Sequence, residues 1–251
     1  MVGGRNAQVT IFIIVGIVIV VGIVAIIIFM GDYSVESPVD LGPKAFISKC
    51  VSDAVKESVG KILDGGGEIV PSRVLMYNGI EWNYLCYQAD YYLSCYNLVP
   101  MLEARVEDEI RRDTMDDVQN CFDEMAVDFE NSGFSVSGGA SDYSIDLLPG
   151  KIEINLKKKI EISKDGVVQG FENFDTDVLS SVYDLIRIVR EIVNAESRYC
   201  YFEYNGFMLL YPEYYIKRID YDDNKVYRVI DRKSEEEFRF AVRSCVFAPG
   251  I

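Results

Sequence analysis

Histidine is absent from the 251 residues, and that absence removes several chemistries at once. There can be no Ser-His-Asp or Cys-His nucleophile system, no HExxH zinc site, and no imidazole acting as general base near neutral pH. Basic residues are scarce as well: 25 lysines and arginines face 40 aspartates and glutamates, a formal net charge of −15. Such a surface repels a phosphate backbone, so nucleic acid is not an expected partner. The triple glycine at 65–67 is not followed by GKS or GKT, which excludes a Walker phosphate loop. No CxxC pair is present, which argues against a zinc ribbon or a thioredoxin-type centre. There is no fixed-period repeat and no low-complexity segment. Nothing calls for a cofactor.

Residues 11–30 read IFIIVGIVIVVGIVAIIIFM, a run without charge. At ~1.5 Å per residue it measures roughly 30 Å, the thickness of a bilayer's hydrocarbon core. Gly16 and Gly22 are tolerated, since glycine is common in membrane helices. Arg5 precedes the run, and Asp32, Glu36 and Asp40 follow it before the next basic residue, Lys44. The positive-inside bias therefore places the N-terminus in the cytoplasm and residues 31–251 outside the cell membrane. This divides the chain into a cytoplasmic N-terminus or leader (1–10), a transmembrane helix (11–30), a linker with two prolines (31–43) and an extracytoplasmic domain (44–251).

The segment ahead of the apolar run, Gly3-Gly4-Arg5-Asn6-Ala7-Gln8-Val9-Thr10, has a basic residue, a small residue, and Gln-Val-Thr leading into the helix. It resembles the archaeal class III signal peptides of type IV pilin-like proteins, over about the first 30 residues. The resemblance implies that a prepilin peptidase cuts between Ala7 and Gln8. The apolar helix would then remain on the mature subunit, available to pack against copies of itself as a homo-oligomer. Phe12 stands at the fifth position from Gln8, where such pilins usually carry a glutamate. The plain alternative is an uncleaved signal anchor. The remainder resembles membrane-anchored proteins of small-genome archaea with the same QVTIF-type start, a likeness that implies no function.

The six cysteines, Cys50, Cys86, Cys95, Cys121, Cys200 and Cys245, all fall beyond the apolar run. An even number on the proposed outer side favours disulfides. Local context selects among the pairings. Cys86 and Cys95 flank the eight residues YQADYYLS, a span suited to a stapled loop. Cys50 and Cys121 lie on apolar faces of expected helices, and Cys200 and Cys245 in β-rich runs, giving pairs 50–121, 86–95 and 200–245. Six reduced, buried cysteines are the alternative.

Apolar residues at three- and four-residue spacing predict amphipathic helices over about 44–63, 101–131 and 178–193, the last capped by Thr176 or Asp177. Residues 68–99 are β-prone, from the EIV at 68–70 onward, with Asn78-Gly79 as a hairpin turn. Alternation over 143–146 and 151–162, with a turn at Asp165-Gly166, predicts further strands. Residues 199–246 read as strands with turns at Asn205-Gly206 and Asp222-Asp223-Asn224. Helices alternating with hairpin blocks favour α+β with antiparallel sheet, either as one domain or as lobes 44–135 and 140–251.

Three features could carry chemistry. Asp220, Asp222 and Asn224 give the DxDxN opening of a calcium loop, but Lys225 holds the glycine position and Asp231 the bidentate glutamate position, so an exposed turn is the stronger reading. Paired carboxylates would suit a glycosidase-type site, yet Glu235-Glu236-Glu237 and Asp116-Asp117 read as solvated faces. Trp82, Tyr84, Tyr87, Tyr91, Tyr92 and Tyr96 crowd one short stretch, more aromatics than one strand face can bury, and tyrosine and tryptophan favour recognition surfaces. Tyr87, Tyr91 and Tyr92 are the expected contacts for a protein or envelope partner. A second aromatic run, Tyr211, Tyr214 and Tyr215, carries the same ambiguity between core and surface. Lys157-Lys158-Lys159 reads as a strand's solvent face. The expectation is a non-enzymatic, single-pass cell-surface protein, in a plain or a pilin-like form. The alternative is a membrane-tethered hydrolase working with paired carboxylates.

Overall fold

The structure, a computed structural model, describes residues 42–248 and residues 19–20. Most of the apolar run, the Ala7–Gln8 junction and residues 31–41 lie outside the described residues. Among the described residues no helix is long and apolar enough to cross a membrane. Pro43 opens helix α1 (Pro43–Asp64), where a missing N–H costs nothing. Ile47, Val51, Val55, Val59 and Ile62 recur on one face and are buried. Gly66 and Gly67 end the helix at φ 65° and 94°. A side chain at Gly67 would meet Leu102 Cδ1 at 2.7 Å, so the glycines permit both the turn and the close approach.

Strands β1 (Val74–Tyr77) and β2 (Ile80–Tyr87) form the hairpin turned by Asn78-Gly79, both at positive φ. The expected strand at 68–70 does not form; Glu68 turns inward, accepting from Arg105 and from the Ser72 amide. After the two-residue β3 (Tyr96–Asn97) comes α2 (Leu102–Asn131). Its buried stripe of Val106, Ile110, Val118, Phe122 and Met125 lies antiparallel to α1, and Cys50–Cys121 joins the two.

Strands β4 (Ser135–Leu148), β5 (Lys151–Lys164), β6 (Val167–Asn173) and β7 (Thr176–Leu179) make an antiparallel four-stranded sheet along α2. The first half of β4 shows no alternation because Gly138-Gly139-Ala140 carry nothing to bury; pairing with β5 makes it a strand. Thr176 and Asp177 do not cap a helix. They pair with Ile154 and Glu153 in β7, and Val178 packs there as a strand residue. Helix α3 (Val182–Tyr199) starts later, where the carboxylate of Glu236 accepts from the Ser181 amide and hydroxyl and from the Ser180 hydroxyl. Glu236 is thus a helix cap rather than part of a solvated acidic run.

Asn205-Gly206 is likewise not a hairpin turn. It opens a fourth, short helix, α4 (Tyr204–Leu210), capped by the Glu203 carboxylate on the Gly206 amide. Strands β8 (Tyr214–Tyr221), β9 (Asn224–Asp231) and β10 (Glu237–Arg243) complete a six-stranded sheet ordered β1-β2-β10-β9-β8, with β3 beside β2. Here β10 runs parallel to β2, so this sheet is mixed where antiparallel pairing was expected. The two strands are far apart in the chain, and no hairpin dictates their direction. Residues on both sides of 135–140, from Ile47 to Val242, share one buried apolar cluster.

The disulfides join Cys50 to Cys121, Cys86 to Cys95 and Cys200 to Cys245. Within the core, Glu196 of α3 is completely buried and holds Lys225 Nζ at 2.6 Å on one oxygen and the Tyr227 hydroxyl on the other. Burial and the neighbouring Glu196 push the Tyr227 phenol far up, so it stays a donor. Removing one partner of such a pair strands the other charge. Glu196→Ala should cost about 3–5 kcal/mol in urea unfolding of the oxidised protein, and Glu196→Gln, which keeps an acceptor, distinctly less. Loss of under about 1 kcal/mol in both would show that the pair is structurally idle.

Candidate functional site

The β2–β3 loop is built outward from a rigid base. Cys86 is buried on β2, and its bridge to Cys95 brings the loop ends to a Cα separation of 5.4 Å. The segment after β10 then runs alongside. Gln88 N donates to Arg243 O, Cys245 N to Leu93 O, and Tyr92 N to Val246 O, all within 2.9 Å. Cys95 N donates to Ser244 Oγ, which itself donates to Glu196 O at 2.9 Å. The Arg243 guanidinium donates to the carbonyls of Gln88 and Ala89 and to Asp223, and lies over the rings of Tyr87 and Tyr91. Arg243, Ser244, Cys245 and Val246 therefore belong to the loop's framework. Their position at and just beyond the end of β10 gave no signal in the sequence; only the Cys245 bridge pointed that way.

On this base the aromatics sort by depth. Trp82 and Tyr84 are buried, and Tyr87 is half-buried between Tyr84 and Arg73, whose guanidinium sits 4.5 Å from its ring centre. Burial, with Tyr87 alongside, pushes the Tyr84 phenol up to about 12, against the opposing pull of Arg243 and Arg73; it donates to Asn224 Oδ1 at 2.7 Å. Tyr91, Tyr92, Leu93 and Tyr96 are exposed, Tyr92 at 63% and Tyr96 at 70%. Alternation along an extended segment would turn one of Tyr91 and Tyr92 inward. Instead Tyr92 takes φ 63°, which breaks the alternation and leaves both rings outside. Phe247, 77% exposed, meets the Tyr92 ring edge-on at 5.7 Å. The result is an apolar, aromatic patch on a braced loop in an otherwise acidic domain, the composition that marks contact surfaces.

The other sequence features resolve differently. Asp220 and Asn224 sit on facing strands of the β8–β9 hairpin, with Asp222 in its turn at φ 49°. Asp220 accepts from Arg218, and Asn224 from Tyr84, so their oxygens are already engaged. Among the described residues no group of three or more metal-ligating side chains could hold an ion. Two nearly buried carboxylates, Glu68 and Glu109, share Arg105 at 3.0 and 3.5 Å, but each also accepts a backbone amide, from Ser72 and Ile69. That geometry fastens the turn after α1 to α2 and leaves neither group poised for proton transfer. Tyr211 and Tyr215 are exposed and Tyr214 is half-buried. Lys158 of the lysine run lies over the Phe122 ring while Lys157 and Lys159 are exposed.

Comparison with family models, with curated proteins and with solved structures finds no match for this chain.

The depth of each ring predicts its cost. Trp82→Ala should lower stability by about 3–5 kcal/mol. Tyr91→Ala and Tyr92→Ala should each stay within about 0.5 kcal/mol of the parent, read as melting temperature of the oxidised protein. Strong destabilisation by both tyrosine changes would make the loop part of the core.

Proposed function

We propose that this chain is a single-pass, membrane-anchored cell-surface protein whose α+β domain presents the tyrosine-rich loop to another protein or envelope component. Three disulfides point to an oxidising, extracytoplasmic compartment. The observation that carries the binding role is the patch of Tyr91, Tyr92, Leu93, Tyr96 and Phe247, exposed on a loop held at both ends. Bracing of this kind reduces the entropy lost when a partner docks.

In the pilin-like form of this reading, cleavage before Gln8 leaves the apolar helix free to gather copies.

Protease added to intact cells should remove residues 44–251 and spare the anchor; protection until lysis would reverse the orientation. The mass of the native N-terminus separates the two forms. A chain beginning at Gln8 is the pilin-like one, and a chain retaining Arg5 is the plain anchor.

A further inference from the structure

The six-stranded sheet has two unlike faces. Its inner face, with Leu85, Tyr227, Val229, Phe238, Phe240 and Val242, joins the main core, while Trp82, Tyr84, Val226 and Ala241 form a separate small cluster on the outer face. Register places one row of side chains across that outer face. Leu75 faces Trp82, the Arg239 guanidinium lies over the Trp82 ring at 5.8 Å, Arg228 faces Arg239, and Lys217 faces Arg228. Adjacent strands are ~4.8 Å apart, so three cations stand in line next to the tryptophan. They border a cavity of about 440 Å³ walled by Tyr77, Ile80 and Ile219. That volume lies within the range of small-molecule sites.

Two donors in this cavity wall lack acceptors. Trp82 Nε1 and Arg239 Nε are buried without a hydrogen-bond partner, although buried N–H groups in folded proteins nearly always have one. Lys217 has no carboxylate within ion-pair reach among the described residues. What sets Lys217 apart is its place: it stands in register with Arg228 and Arg239 on the wall of this cavity. Arg228 and Arg239 are held in place by Glu237 and Asp64. Those carboxylates retain lone pairs able to accept hydroxyl protons.

We propose that this cavity binds a carboxylated sugar. Lys217 and the Arg239 Nε–H take the carboxylate, charge-assisted donors being the strong ones. The indole N–H of Trp82 donates to a ring or hydroxyl oxygen. Glu237 and Asp64 accept from hydroxyls, and Tyr77, Ile80 and Ile219 cover the apolar face of the ring. An inorganic anion would satisfy the cations and leave that apolar wall bare. An extended peptide would seek a strand edge, whereas this row crosses the middle of the sheet. The site is separate from the tyrosine loop: Arg239 and Arg243 are four residues apart on β10, about 13 Å at ~3.3 Å per residue. It does not depend on the membrane topology.

Trp82 is the only tryptophan in the chain, beside 17 tyrosines, so emission excited at wavelengths that tyrosine does not absorb reports on this cavity alone. Full-length protein in detergent micelles is titrated with D-galacturonate, D-galactose, acetate and inorganic phosphate. Galacturonate should change the emission saturably with a Kd on the order of 1 mM or tighter. Each of the other three should need at least about tenfold more. Lys217→Gln, an exposed change whose melting temperature should match the parent, should weaken galacturonate about tenfold or more. Tyr91→Ala should titrate like the parent. The proposal is overturned if emission is unchanged at concentrations far above that Kd. It is equally overturned if acetate or phosphate matches galacturonate, if galactose does, or if Lys217→Gln binds as the parent does.

Discussion

A single buried glutamate ties together the parts of this domain that face outward. One carboxylate oxygen of Glu196 holds Lys225, the other takes the Tyr227 hydroxyl, and both partners belong to β9 of the six-stranded sheet. The carbonyl of the same residue accepts from Ser244 Oγ, which in turn receives the Cys95 amide. Four residues on, Cys200 closes α3 in the left-handed conformation and bridges to Cys245. Helix, sheet and tyrosine loop are thus fixed through one polar node within an apolar core. A charge at that depth is tolerated only because every oxygen has a donor.

The same economy of charge runs through the rest of the domain. With acids outnumbering bases, most arginines are claimed: Arg105, Arg112, Arg228, Arg239 and Arg243 each hold a carboxylate within 3.1 Å. These pairs lie largely at the joints between elements, such as Arg239 with the end of α1 and Arg105 with the turn that follows it. Two of them, Arg228 with Glu237 and Arg239 with Asp64, stand on the outer face of the six-stranded sheet beside Trp82, and Arg243 with Asp223 stands beside the aromatic loop. The opposite face of that sheet packs through Phe238, Phe240 and Tyr227 into the main core.

Helices α1 and α2 were legible because apolar residues recur along them with helical spacing, and the hairpin turns at Asn78-Gly79 and Asp165-Gly166 because only residues that accept positive φ suit them. Where local signals conflicted with pairing, pairing prevailed. Thr176 and Asp177 look like caps, yet β5 offered a free edge, and Asn205-Gly206 looks like a turn, yet Glu203 supplied a helix cap. The parallel contact of β2 with β10 had no sequence signal, since it joins segments more than 150 residues apart. At the candidate site, the crowding of aromatics was visible and their sorting was not. Tyr87 is half-buried because Arg73 and Arg243 cover it, while Tyr91 and Tyr92 both escape the core through one left-handed residue. The row of Lys217, Arg228 and Arg239 was hidden because its members come from three strands and meet only through register.

The central claim is that the braced aromatic loop is the surface through which this protein meets a partner. The most direct measurement places a photo-crosslinking amino acid at Tyr92, at Tyr96 and, as control, at Val168, which is also exposed but lies on the β5–β6 hairpin of the other sheet. Irradiation of intact cells should give one discrete, shared adduct from positions 92 and 96 and none from 168. An adduct from Val168 with none from the loop positions would contradict the account.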